Sequence, residues 1–324
     1  MDPEVAGAVE ALLRAGVLSP EQAILPVRSA RGEIVSVRAE LRTLLWLGVT
    51  LIASGVGILV KENLDRIGPL AVAIFLGVAA TACLLWVVRA AGPFAWLDQP
   101  SPNLAFDYVL LLGATLLGAD LAFIEVKFTP LGPGWPWHLL LASAIFAALA
   151  LRFDSRVVFS LALSTFATWR GVSMGTLARA PVGRWDPGLL RTNAMACGAL
   201  FVAGGYLLVR YRRKPHFEPV AAHMGWVLAL GALAAGMLDE RSPTPWAVSA
   251  LALLAAGGGV AWRAVVARRF WLFAMGLLAA YAAVCRFVVE PLAGQTGRML
   301  WFLSSSVALI VVLVLARRRL EEEP

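Results

Sequence analysis

Apolar residues run through this chain in blocks of about twenty, the helix length that crosses a hydrocarbon core ~30 Å thick. Short stretches rich in Arg, Pro, Gly and acidic residues separate the blocks. By hydropathy and length they predict ten helical spans, near residues 43–60, 68–88, 106–126, 136–151, 156–170, 189–209, 221–238, 244–262, 270–289 and 299–316. No sheet is predicted. The fourth and fifth blocks are short and joined only by Arg152 to Arg156, which predicts a tight hairpin. The fifth also sets the parity: if it does not cross, the orientation of every later span inverts.

Residues 1–42 form the only sizeable polar segment. Pro3 to Ala15 reads as a short helix with Val5, Val9, Leu12 and Leu13 on one face, ended by Gly16. Ser19-Pro20-Glu21-Gln22 then supplies a capping Ser, a Pro at the first helical position and a Gln three residues after the cap. Pro26 ends or kinks that second helix, and a charged segment, Gly32 to Arg42, leads into the first span. The expectation is an amphipathic lid on the bilayer or on the bundle; a docking module for a soluble partner is the alternative. The chain thus divides into a helical extension (1–42), a transmembrane domain (43–316) and a charged tail (317–324).

Composition agrees. Apolar residues make up 60% of the chain and charged residues 15%, with mean hydropathy +0.76. Soluble domains hold roughly 45–50% apolar and about 25% charged residues. The expected fold class is therefore an all-α polytopic transmembrane bundle. A net charge of +7 and pI of 9.9 could suggest a nucleic-acid partner. Here, however, most basic residues flank the apolar blocks, where they orient helices, so no nucleic acid is expected. With the N-terminus inside, the strongest clusters, Arg210–Lys214 and Arg317–Arg319, both fall on the cytoplasmic side, which gives ten spans with both termini cytoplasmic. No cleavable leader is visible, so the first span serves as the insertion signal. Cys83, Cys197 and Cys285 lie inside spans and are expected as small hydrophobes rather than disulfide partners.

Four stretches carry a resemblance to a known family: GVLSPEQA (Gly16–Ala23), GVGILVKENLDRIGPLA (Gly55–Ala71), FDYVLLLGATLLGAD (Phe106–Asp120) and RFDSRVVFSLALSTFATWRGVS (Arg152–Ser173). In these the chain resembles the domain-of-unknown-function 2157 family of predicted bacterial membrane proteins, over roughly residues 10–175. The resemblance implies a multi-span protein of a bacterial inner membrane with a short cytoplasmic front piece. It implies no activity, so no catalytic residue is carried over.

Candidate chemistry centres on the third block, which holds Asp107, Asp120 and Glu125 amid apolar sequence. An acid at a helix centre costs roughly 2.5–3.5 kcal/mol on insertion scales, so such a residue turns toward protein or water. On a helix Asp120 lies about 20° from Gly113, a face that can pack closely on a neighbour, while Glu125 points about 140° away. Arg286 and Glu290 are spaced for a salt bridge on one helix face. One reading is an outer vestibule in which Asp120 and Glu125 line a solute or ion path gated by Arg286 and Glu290. The other is a set of ion pairs pinning helix ends. Arg210, Arg212, Arg213 and Lys214 could hold anionic lipid headgroups, although orienting the chain is their simpler role.

Gly171-Val172-Ser173-Met174-Gly175 matches a nucleophile pattern that requires a strand–turn–helix elbow and a nearby His. Only His138 shares its side, so a membrane-embedded hydrolase using Ser173 and His138 is the minor reading, and an ordinary turn the main one. Scattered His residues and separated thiols leave no metal site, and no phosphate-cradling motif or cofactor signature is present. The functional expectations are a non-enzymatic protein that moves or senses a small solute or ion, or a structural subunit of a membrane complex or homo-oligomer. Membrane lipids are the expected immediate partners.

Overall fold

A computed structural model describes residues 47, 51, 55, 58, 68–96, 104–177, 186–239, 245–290 and 294–321. The chain divides into two compact units, Met1–Val72 and Ala73–Pro324. Of the first unit, Leu47, Leu51, Gly55 and Ile58 are helical and exposed. The proposed extension over residues 1–42, and most of the first predicted span, lie outside the described residues.

Among the described residues the fold is wholly helical. Nine α-helices follow in order: α1 (Pro69–Ala90), α2 (Leu104–Phe128), α3 (Trp137–Phe153), α4 (Arg156–Leu177), α5 (Pro187–Arg210), α6 (Glu218–Leu238), α7 (Trp246–Val266), α8 (Phe270–Val289) and α9 (Gln295–Glu321). They coincide with the second to tenth predicted blocks. The agreement has a physical basis: in hydrocarbon every backbone N–H and C=O needs an internal partner, so a long apolar run has little alternative to a helix.

Seven of the nine, all but α3 and α4, are long and apolar enough to cross a membrane. Helix α3 has only 17 residues. Helix α4 runs to Leu177, past the predicted end at 170, and carries the Gly171–Gly175 motif inside it. The turn expected there is helix.

Each helix packs chiefly on its chain neighbours, as the hairpins α3–α4, α5–α6 and α7–α8, with α6 also against α7. The α3–α4 hairpin closes tightly: Asp154 takes the left-handed conformation at φ 58°, and Ser155 Oγ accepts from the Val158 N–H at 3.4 Å, capping α4. The other two hairpins also turn through left-handed non-glycine residues, Arg212 and Lys214 in one and Arg268 in the other.

Two hairpins are seamed by paired glycines. A methyl group at Gly198 would stand 2.5 Å from Gly225 O, and one at Gly257 would stand 2.7 Å from Gly276 O. Backbones this close admit no side chain, which is how small residues serve packing where lipid removes the hydrophobic drive. Gly205 likewise meets Ala221, while Gly204, Gly258 and Gly259 face open space.

Most of each helix surface looks outward. At most 39% of any candidate span is buried, and none of α9 is. Water would not tolerate so continuous an apolar exterior; acyl chains do.

Candidate functional site

Helix α2 carries both intramembrane carboxylates of interest, and both are buried. Asp120 is 8% exposed and Glu125 5%. Glycines again explain how α2 approaches its neighbour. A methyl at Gly113 would sit 3.1 Å from Cys83 Cβ, and one at Gly77 of α1 would sit 3.2 Å from Asp120 Oδ2. The Gly113–Asp120 face is thus the one α2 turns to α1, as the helical spacing predicts. Glu125 lies on a different face, where its Oε2 accepts a 3.4 Å hydrogen bond from the Leu131 N–H beyond the helix end. Asp120 Oδ1 and Glu125 Oε1 are both buried with no hydrogen-bond donor. Each is an acceptor that a proton or a small cation could occupy.

The remaining predicted path residues sit elsewhere. Arg286 and Glu290 form the expected pair at 3.2 Å, and the Arg286 guanidinium also lies 5.1 Å over the Trp246 ring. Helix α8, which carries Arg286 and is capped by Glu290, packs on α6, α7 and α9, whereas α2 packs on α1, α3 and α4. The four residues therefore belong to separate helix groups and do not converge. A second polar pair, Arg191 to Asp239 at 2.6 Å, ties the start of α5 to the end of α6. Near α2, Thr115, Gly118, His138, Phe146 and Thr165 line a cavity of about 230 Å³; neither acidic residue is among its walls. His138 Nδ1 is engaged by the Trp135 carbonyl. Ser173 lies within α4 rather than on an elbow, so the hydrolase reading loses the geometry it needs.

The opposite end of the bundle holds a cluster that sequence reasoning missed. Lys214 was grouped with Arg210, Arg212 and Arg213 as a headgroup contact. Those three arginines are exposed, but Lys214 is fully buried. Its Nζ donates to both carboxylate oxygens of Asp154, at 2.6 and 2.7 Å, and lies 4.7 Å from the Phe94 ring centroid. Turning a non-glycine residue left-handed costs about 1–2 kcal/mol, and here that turn aims the ammonium inward. His216 Nε2 stands 3.1 Å from the same Asp154 Oδ1, and the neighbouring Phe217 ring stacks on Phe159 at 4.6 Å. The Lys214 N–H donates to the Trp96 carbonyl at 2.9 Å, and Arg152 reaches the Gly92 carbonyl at 3.3 Å.

This clasp joins the segment after α1, the α3–α4 turn and the α5–α6 connection at one end of the bundle. A bidentate pair between Arg269 and Glu218, at 2.6 and 2.7 Å, adds the α7–α8 connection. The Glu218 hydrogen bond raises the Arg269 guanidinium above the ordinary arginine range, against the opposing effect of burial. No local spacing signals the clasp, because its two charges are 60 residues apart. The short charged joint between the fourth and fifth blocks, Arg152 to Arg156, which holds Asp154, was the one available hint.

Fold and surface together define an integral membrane protein with several membrane-spanning helices. Residues 10–159 match the model of the domain-of-unknown-function 2157 family, whose description reads "Predicted membrane protein". The match covers just under half of the chain, ends within the first turn of α4 and includes Asp120, Glu125 and Asp154. Lys214 and His216 lie beyond it. Neither a curated protein nor a solved structure matches the chain.

Proposed function

We propose that this protein moves or senses a proton or small cation, with Asp120 on α2 as the binding group and Glu125 as a second carboxylate further along the same helix. One observation carries the reading: Asp120 and Glu125, two carboxylates on a predominantly apolar helix, are each buried with one oxygen lacking a donor. Placing such groups in hydrocarbon is costly, and chains that keep them usually use them. The test is ion flux in proteoliposomes holding the full chain, with entrapped pH dye and radiolabelled sodium or rubidium. Asp120→Asn should abolish flux while leaving thermal stability unchanged. Flux that survives that replacement refutes the assignment.

The topology that goes with this reading is ten spans in a bacterial inner membrane, with both termini and the clasp end cytoplasmic. It is supported by the joining of four connections at one end, an end that also carries Arg152, Arg210, Arg212, Arg213, Arg263 and Arg268. In that frame α3 and α4 cross despite their shortness and polarity.

A second reading, a structural or assembly subunit, is favoured by α9, a 27-residue helix whose spanning window contains no buried residue. Tyr281 Oη, within hydrogen-bond distance of Ser305 and Ser306 at 2.9 and 3.3 Å, links it to α8. Such a helix offers a lipid-facing surface to another membrane protein or a second copy. A stable complex surviving mild detergent, with no flux in any condition, would select this reading over the first.

A further inference from the structure

A second cavity, of about 590 Å³, is walled by α5, α6, α7 and the start of α8, near the clasp end. Its volume falls within the roughly 300–1,000 Å³ of small-molecule sites. Three features bear on what it takes.

The walls are apolar and aromatic, with Tyr206, Trp226, Gly259 and Trp262 among them. Tyr206 and Trp262 are largely exposed on the outer surface of the bundle. In a bilayer that opening faces acyl chains, so a hydrocarbon tail enters sideways without meeting water.

The second feature is charge. Arg263 and Arg269 line the cavity against one carboxylate, Glu218. Arg269 already gives both its terminal nitrogens to Glu218. The Arg263 side chain has no hydrogen bond or ion pair among the described residues and is exposed at the last turn of α7. It is the guanidinium left to meet an anion.

The third feature is the start of α8. Its N-cap, Arg269, makes no side-chain capping bond, and Leu272 of its first turn lines the cavity. An uncapped helix start presents N–H donors and the positive end of the helix dipole, a ready place for a phosphate oxygen.

An apolar slot open to lipid, ending in a free guanidinium and a helix N-terminus, matches a molecule with a hydrocarbon tail and a phosphodiester head. We infer that this groove binds an anionic glycerophospholipid, its tail along Trp226 and Gly259 and its phosphate on Arg263 and the start of α8. Basic pockets between spanning helices hold anionic headgroups in this way. The site is distinct from the Arg210–Arg213 cluster and independent of any role for Asp120.

Native mass spectrometry of the full chain in mild detergent tests it. The protein is titrated with phosphatidylglycerol, with phosphatidylcholine of the same chains, and with inorganic phosphate as competitor. Phosphatidylglycerol should be retained in preference to phosphatidylcholine. Arg263→Gln should weaken its retention about fivefold, the worth of one basic residue at a lipid surface, and Arg210→Gln should not. Gly259→Phe puts a ring into the groove from a position where the Cβ meets nothing within 4 Å; it should abolish retention of both lipids at unchanged melting temperature. Three results would overturn the inference: equal retention of the two lipids, phosphatidylglycerol binding unaltered in both groove variants, or its displacement by an equal concentration of inorganic phosphate. Should Arg263→Gln itself lower the melting temperature, the Gly259→Phe comparison decides.

Discussion

Replacing Lys214 with Met puts the buried clasp to a quantitative test. The ammonium is 0% and the Asp154 carboxylate 5% exposed, and their closest approach is 2.6 Å. At an effective dielectric of about 20, two unit charges at that separation attract by roughly 6 kcal/mol. Desolvation offsets most of this, at several kcal/mol per ion, so the pair's net contribution is small. Removing one member is another matter, because the desolvation cost of the survivor is then uncompensated. Met fills much the same volume as Lys, so no large cavity confuses the result. Lys214→Met should destabilise the protein by about 3–5 kcal/mol. His216 stands 3.1 Å from the same carboxylate oxygen, and by recovering part of the interaction it places the expected value toward the lower end. Lys214→Met combined with Asp154→Leu removes both charges and should restore most of the lost stability. The assay is reversible unfolding in mixed micelles, titrating dodecyl sulfate and following circular dichroism, for wild type, both single variants and the double. A Lys214→Met loss under about 1 kcal/mol would refute the reasoning, since a pair that cheap to break is not desolvated. So would a double variant no more stable than the singles.

The glycine seams make a matched comparison. Gly198→Ala sets a methyl 2.5 Å from Gly225 O and should cost about 1–3 kcal/mol in the same assay, the usual range for overpacking. Gly204→Ala, with nothing within 4 Å, should be neutral or stabilise by up to about 1 kcal/mol through helix propensity. The topology yields to single-cysteine labelling in a cysteine-free background: Arg212→Cys and Leu131→Cys should react with an impermeant reagent from opposite sides. Labelling of both from one side would mean that one of α3 and α4 does not cross.

How much was legible in advance follows from what each feature depends on. The helices were readable because bilayer thickness fixes the length of an apolar run and hydrocarbon forbids unpaired backbone; both constraints are local in sequence. The pairing of Arg286 with Glu290, and the coincidence of Asp120 with the Gly113 face, also depend only on helical spacing. Burial of Asp120 and Glu125 needed the neighbours, because a period of 3.6 says which residues share a face and not what covers it. The seams at Gly198–Gly225 and Gly257–Gly276 needed the fold, because which glycine meets a backbone is set by where two helices cross.

Lys214 shows the limit most sharply. Read along the chain it is one of four basic residues ending a span, chemically alike and equally suited to a headgroup. In the fold a left-handed turn points it away from its neighbours and onto a carboxylate in another hairpin. Local composition alone therefore determined that the chain enters a membrane as helices and roughly where the described ones lie, though not where α4 ends. Which charges turn inward, which oxygens are left without a donor, and where a groove opens beside Arg263 were decided only when separate helices came together, since burial is a property of neighbours and not of the residue itself.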